Sequence, residues 1–204
     1  MHPKTHWESV YSTRAPEETS WYRPHLDISL VLIEQLTPSH SASIIDVGAG
    51  ASTLVDDLVQ RGYTNLTVLD ISESALCVAK KRLGPASSRI QWLTEDVCEA
   101  NLPFEHYDLW HDRAVFHFLT LPEQRTSYVA RAAAAVKKNG HLIISTFGQE
   151  GPTRCSGLDT VRYDAVALET HFSSQFILID TRIEWHITPS GGRQQFLYCA
   201  FKRV

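Results

Sequence analysis

The sequence predicts an α/β fold, a doubly wound and mostly parallel seven-stranded sheet with helices on both faces, and three observations carry the prediction. Short apolar runs alternate with helical stretches from residue 44 to residue 147. The first run ends in a glycine pair, Gly48 and Gly50. After residue 175 the alternation gives way to two long strand-like runs joined by Thr188-Pro189-Ser190-Gly191-Gly192. Strands that alternate with helices at this spacing run parallel through crossovers, whereas the closing pair reads as an antiparallel hairpin.

Taken in order, residues 1–38 are expected to form an arm and a capping helix. Up to Arg23 the chain is aromatic and polar (Trp7, Tyr11, Trp21, Tyr22) without clear periodicity, and Pro24 is placed to open a helix carrying Leu26, Leu30, Ile33 and Leu36. Residues 44–47 make the first strand, followed by a helix with Leu54 and Leu58 that Gly62 stops. The unit repeats as a strand at 66–69 ending in Asp70, a helix over 73–83 closed by Gly84, and a strand at 90–93. A fourth strand covers 107–111. Pro122 sits in the first turn of a helix that runs through the alanines at 132–135 to Lys138, and Gly140 precedes a fifth strand at 142–147. Residues 176–187 and 194–201 form the final hairpin. The whole of residues 1–204 is read as one domain, with its core from residue 40 onward.

Composition narrows the function classes. Apolar residues make up 43% and charged residues 21%, a globular balance that excludes a disordered or collagen-like chain. The net charge of -4 and the scatter of Lys and Arg argue against a nucleic-acid partner held by bulk charge. Cys77, Cys98, Cys155 and Cys199 form no C-x-x-C pair, which gives neither a zinc spacing nor a redox motif, and they are expected as free thiols. No stretch approaches the roughly 20 apolar residues of a membrane span. The expected address is the cytoplasm, with no membrane partner.

In a doubly wound sheet the ligand lies beyond the carboxyl ends of the strands, where the winding reverses. The first loop reads Asp46-Val47-Gly48-Ala49-Gly50-Ala51-Ser52, in which the glycines allow close approach of a ligand to the backbone. Asp70 follows Gly50 by twenty residues, the distance at which a carboxylate meets ribose hydroxyls. Taken alone the loop also reads as a plain strand-to-helix turn. A dinucleotide fingerprint wants glycine at Thr53, and the Tyr-x-x-x-Lys pair of short-chain oxidoreductases occurs only as Tyr198 and Lys202, in a strand. Asp46 beside a short neutral loop suits a ligand bearing an amine.

These residues resemble the first motif of the class I S-adenosylmethionine-dependent methyltransferases, with Ser52 where a third glycine is frequent. Asp70 is similar to the family's ribose-binding acid, and Glu95-Asp96-Val97 resembles the segment that reads the adenine edge. The resemblance covers roughly residues 40–200 and implies a Rossmann-like fold and S-adenosylmethionine as cofactor. The cofactor site it implies is Asp46, Gly48, Ala49, Gly50, Asp70, Ile71, Asp96, Val97 and His111. Trp7, Tyr11 and Trp21, with Tyr22, are expected as an aromatic lid over the sulfonium, since a π face attracts a cation, or alternatively as a staple holding the arm.

The segment Trp110-His111-Asp112-Arg113-Ala114-Val115-Phe116-His117-Phe118 falls where the acceptor should lie. Its candidate catalytic residues are His111 as a base, Arg113 as partner of an anionic acceptor and His117 lining the pocket, each histidine having a structural hydrogen-bonding role as its alternative. Asp112 and Arg113 are also read as an internal ion pair. Methyl transfer needs no metal, and no metal site is expected. Cys155 lies in a long loop, residues 149–159, that would shape the acceptor pocket. The missing Asn/Asp-Pro-Pro-aromatic and Asp-x-x-Tyr elements favour a small-molecule acceptor; a protein lysine methyltransferase and a non-catalytic adenosylmethionine or adenosylhomocysteine scaffold are the alternatives.

Overall fold

Ile44 and Ile45 in β1 (Ser43–Val47) show how the sheet acquires two faces: successive side chains project to opposite sides, so one isoleucine enters each of two apolar cores. The computed structural model describes residues 3–204. Met1 and His2, at the start of the expected arm, lie outside the described residues. Besides β1, the sheet contains β2 (Asn65–Asp70), β3 (Gln91–Thr94), β4 (Tyr107–Arg113) and β5 (Val136–Phe147). A separate two-residue ribbon, β6 (Arg154–Cys155) with β7 (Leu158–Asp159), precedes β8 (Phe176–Ile187) and β9 (Arg193–Arg203).

The strand order is β3-β2-β1-β4-β5-β9-β8. The first five strands are parallel, and β9 enters antiparallel between β5 and β8. The chain thus winds outward from β1 to β3, returns to the centre and winds the other way through β4 and β5. Helices α2 (Asp27–Leu36), α3 (Leu54–Gln60) and α4 (Glu73–Leu83) pack one face through Leu30, Ile33, Leu54, Leu58 and Leu76. On the other face lie α5 (Pro122–Ala135) and α6 (Ala165–Phe172), with Tyr128, Ala132, Leu168 and Phe172. Each fully buried leucine or phenylalanine adds ~1.5–3 kcal/mol. Helix starts are chemically marked: Ser72 Oγ accepts from the Ala75 N–H at 3.2 Å, and Asp164 from that of Ala167 at 2.7 Å.

Three expectations about the elements need correction. The arm contains a helix, α1 (Pro3–Thr13), where no periodicity was visible. Only Val10 of it is buried, and its aromatic residues face a cavity rather than a core, so the usual apolar stripe is absent. Helix α2 opens at Asp27 rather than at Pro24, because the carbonyls of Arg23 and Pro24 accept from the Thr53 hydroxyl at 3.3 and 2.9 Å, which holds the lead-in off helical geometry. Finally, α5 ends at Ala135 and β5 begins at Val136, six residues before the expected start at 142. A register shift between Tyr107 and Leu109 on β4 absorbs the irregularity, Asn139 takes a positive φ of 64°, and Lys137 pairs with Asp108 at 2.8 Å.

Candidate functional site

Strand winding reverses between β1 and β4, and there the sheet opens into a cavity of about 480 Å³ at the carboxyl ends of its central strands. Its wall includes Asp46, Gly48 and Ala49 from the β1 loop, Asp70 and Ile71 from the end of β2, and Asp96 and Val97 from the segment after β3. His111, Arg113 and His117 line it from β4 and the turn beyond, and Trp7, Tyr11, Trp21 and Tyr22 from the amino-terminal arm. Gly50 does not itself line the cavity, but it borders it through Tyr11.

The β1 loop turns because Gly48 and Gly50 take positive φ values of 61° and 56°. A Cβ on Gly48 would stand 1.8 Å from Val115 Cγ2, and one on Gly50 2.2 Å from the Tyr11 hydroxyl, so both positions are closed to any side chain. The Gly50 N–H donates to Asp70 Oδ2 at 2.7 Å and the Ser72 N–H to Asp70 Oδ1 at 2.8 Å, fixing the carboxylate at the head of the crevice. Each oxygen keeps a lone pair for a further donor. Burial pushes the Asp70 carboxyl up to about 6, the two backbone donors working against it and the Asp46 and Glu8 charges with it. Asp96 Oδ1 accepts from the Cys98 N–H at 2.9 Å.

Asp46 and His111 form a buried pair, with Asp46 Oδ1 2.7 Å from Nδ1 of the imidazole. Nε2 lies 2.9 Å from Ser29 Oγ, so both ring nitrogens of His111 are engaged within the protein. Asp112 and Arg113 are not an ion pair. Neighbouring side chains of a strand point to opposite faces, and the Asp112 oxygens accept from the Val115 and Phe116 N–H groups and from the Tyr128 hydroxyl at 2.8, 3.2 and 2.6 Å. Arg113 instead donates from Nε to the Tyr198 hydroxyl at 3.1 Å and from one terminal nitrogen to the Trp21 carbonyl at 3.0 Å. Its other terminal nitrogen is 3.7 Å from Glu184. His117 is fully buried; its Nδ1 accepts from the Phe147 N–H at 3.1 Å and its ring stacks on Phe147 at 4.2 Å. Burial, and then the Arg113 charge, press its pKa down to about 3, so its imidazole is neutral.

The arm closes over these groups. Trp7 meets Trp21 and Phe118 edge-on at 5.8 and 5.1 Å. Glu8 fastens α1 to the first turn of α4, where its carboxylate accepts from the N–H groups of Glu73 and Ser74 at 2.6 and 3.1 Å and from the Ser72 hydroxyl at 3.2 Å. Burial works to raise the Glu8 carboxyl, and the Ser74, Glu73 and Ser72 donors outweigh it, so its pKa is lowered. Cys155 lines the cavity with its thiol pushed up by burial, which disfavours a thiolate. Sequence reasoning missed Glu8, Ser29 and Glu184. Glu8 lies 65 residues from its partner Glu73, and Ser29 lies 82 from His111, so only the fold joins them.

Sheet order, glycine turn and strand-end carboxylates define a nucleoside-binding α/β domain of the seven-stranded class. Residues 44–140 match the family model described as a methyltransferase domain. The EEF1A lysine methyltransferase 2 of Danio rerio is 30% identical over 116 residues, covering 53% of this chain and 49% of that protein. The eEF1A lysine and N-terminal methyltransferase of Bos taurus is 26% identical over 122 residues, covering 59% of this chain and 17% of that one. The chain therefore spans half or less of the length of these two relatives. Among solved structures, the 1,6-didemethyltoxoflavin-N1-methyltransferase of Burkholderia thailandensis, with bound 1,6-didemethyltoxoflavin and S-adenosylhomocysteine, superposes with a TM-score of 0.71 at 20% identity. That alignment covers 96% of this chain and 81% of the other. The fold of this chain is thus shared with S-adenosylmethionine-dependent methyltransferases, and residues 44–140 carry the methyltransferase-domain match.

Proposed function

We propose that the chain transfers a methyl group from S-adenosylmethionine to a small-molecule acceptor enclosed in the cavity. The observation that carries this reading is the cavity at the strand ends, where the glycine turn, Asp70 and Asp96 meet an aromatic wall under α1. The residues fit the cofactor. Asp70 keeps free lone pairs for two ribose hydroxyls, Asp96 and Val97 stand where an adenine edge would be read, and Asp46 presents a carboxylate beside the glycine turn for the amino group of the methionine end. Bound there, the cofactor supplies an electrophilic methyl on a sulfonium. The protein's part is to hold the acceptor in line, exclude water and favour the cation with the faces of Trp7 and Tyr11.

Within this reading His111 orients Asp46, since neither of its nitrogens is left for an acceptor, and His117 is a neutral wall residue rather than a base. Closure by α1 and the fastening of Glu8 favour a small acceptor over a side chain presented by a folded protein. The names of the two relatives support protein lysine as a second reading. We also read residues 1–204 as a single domain acting in the cytoplasm without a nucleic-acid partner. Its four cysteines stand as free thiols, and among the described residues no helix is long and apolar enough to cross a membrane.

The test begins with calorimetric titration of the purified chain with S-adenosylmethionine, S-adenosylhomocysteine and NADH. Micromolar binding of both sulfur nucleosides and none of NADH is the expected result, and binding of NADH alone overturns the reading. Incubation with methyl-labelled cofactor and a cell extract then separates the acceptors. Label in the low-mass fraction supports the small-molecule reading, and label retained on protein supports the second.

A further inference from the structure

The sheet ends in a free edge that is apolar on one face. β8 is the outermost strand, paired only to β9, and no lysine or proline of the kind that blunts a free edge lies between Phe176 and Ile187. Beyond a register shift between Leu178 and Asp180, residues 180–187 run regularly to the hairpin turn. Their side chains alternate between the faces. Thr181 and Ile183 lie opposite Cys199 and Leu197 of β9, which belong to the core under α5 and α6, so Trp185 and Ile187 project to that face as well. Ile183, Trp185 and Ile187 are 52%, 41% and 56% exposed and form one apolar stripe. Asp180, Arg182 and Glu184 project to the other face, opposite Ala200, Tyr198 and Phe196.

A hollow accompanies the stripe. It has a volume of about 290 Å³, and its wall includes Tyr163, Ala165, Thr181, Ile183, Gln195 and Leu197. Trp185 is not part of that wall; it stands farther along the strand, with the Arg193 guanidinium over its ring at 4.4 Å. One strand thus carries a projecting indole and, four residues earlier, the rim of a largely apolar recess.

Charge order and symmetry identify what covers this edge. When an edge strand pairs antiparallel with its own copy about a two-fold axis normal to the sheet, one residue is set against itself. The regular run 180–187 is centred between Ile183 and Glu184. An axis at Glu184 would oppose two carboxylates, and one at Arg182 two guanidinium groups. An axis at Ile183 opposes two isoleucines and places Arg182 against Glu184 of the second copy, at two symmetric positions. Arg182 is already held by Asp180 at 2.8 Å and Glu184 by Arg23 at 2.8 Å, so the contact joins two existing pairs. In the same register Trp185 of the second copy stands opposite Thr181, at the rim of the hollow.

We propose that the chain forms a homodimer through β8, its sheet continuing into that of a second copy across a two-fold axis at Ile183, with each Trp185 seated in the other copy's hollow. No residue of β8 lines the cavity at the strand ends, so the dimer stands whatever the methyl acceptor is.

Sedimentation velocity of the full chain at micromolar concentration is expected to show a dimer. Ile183→Lys and Trp185→Lys, both at exposed positions, are expected to sediment as monomers that melt at the wild-type temperature. A monomeric wild type overturns the inference, and so does a dimer that both variants retain. The register has its own readout. In a Cys77→Ser background, which removes the exposed native thiol, Ile183→Cys is expected to form an intermolecular disulfide on mild oxidation. Antiparallel partners stand ~4.5–5.5 Å apart at Cα, within disulfide reach. Ile187→Cys in the same background faces Ile179 of the second copy and is expected to stay reduced. A disulfide at position 187 and none at 183 overturns the pairing.

Discussion

Replacing Asp70 by asparagine should separate the two jobs of that carboxylate. Burial holds its pKa up at about 6 against an ordinary 3.8, so the ionised group costs the fold ~3 kcal/mol at neutral pH. Asparagine removes that cost but turns an NH₂ toward the Gly50 or the Ser72 N–H, leaving one buried donor unpaired at ~1–3 kcal/mol. The two changes nearly cancel, and stability should stay within ~2 kcal/mol of the wild type. Cofactor binding has no such compensation. A hydroxyl bound to a charged acceptor contributes ~1.5–3 kcal/mol, and an amide retains only one of the two acceptor sites, so affinity for S-adenosylhomocysteine should fall roughly 100-fold. The pH dependence carries the same signature. The ionised carboxylate is the binding form, so wild-type affinity is full above about 6 and falls about tenfold per unit below it, whereas Asp70→Asn is flat across that range. Calorimetry at several pH values with a thermal melt at each measures both quantities. A variant that binds within about threefold of the wild type at neutral pH would falsify the ribose assignment.

Two further perturbations test the loop and the lid. Gly48→Ala places a methyl 1.8 Å from Val115 Cγ2 at a φ of 61°, and the combined strain and overpacking should cost ~2–4 kcal/mol, read as a Tm lowered by ~5–15 °C; a Tm within ~2 °C of the wild type refutes the closed loop. Glu8→Gln removes the charge that α1 sets against the first turn of α4, which at ~0.3–1 kcal/mol should speed S-adenosylhomocysteine release about two- to fivefold in stopped-flow tryptophan fluorescence. Because the Glu8 pKa is lowered, lowering the pH through it should speed release from the wild type and leave Glu8→Gln unmoved. An unchanged release rate in the variant counts against α1 as the gate.

The parts of this molecule that were legible in the sequence are those whose physics is local. A glycine pair after Asp46, an acid at the end of the second strand and a Thr-Pro-Ser-Gly-Gly turn each constrain a few neighbouring residues, and the fold puts each at the strand end or hairpin its chemistry suggests. What stayed hidden depends on partners far along the chain. Helix α1 has no apolar stripe to announce it, because its aromatic residues are spent on a cavity wall and its position is fixed by Glu8 on a helix 65 residues away. The start of β5 was obscured because the alanine run favours helix up to the point where pairing of Val136 with Tyr107 takes over.

The polar cluster on β4 shows the same division at the level of chemistry. Its residue types announce a reactive segment, but strand alternation decides their roles by sending Asp112 to Tyr128 on one face and Arg113 to Tyr198 on the other. His111 and His117 are six residues apart, and the sequence offers the first as a base and the second as a pocket-lining residue. One is locked between Asp46 and Ser29, whereas the other offers a single fixed donor because a backbone N–H from β5 occupies its Nδ1. A base needs a free lone pair, and in this site the histidine with an unused nitrogen has only a proton to give. Under the methyltransferase reading the demand on the protein is accordingly one of placement and desolvation rather than proton transfer.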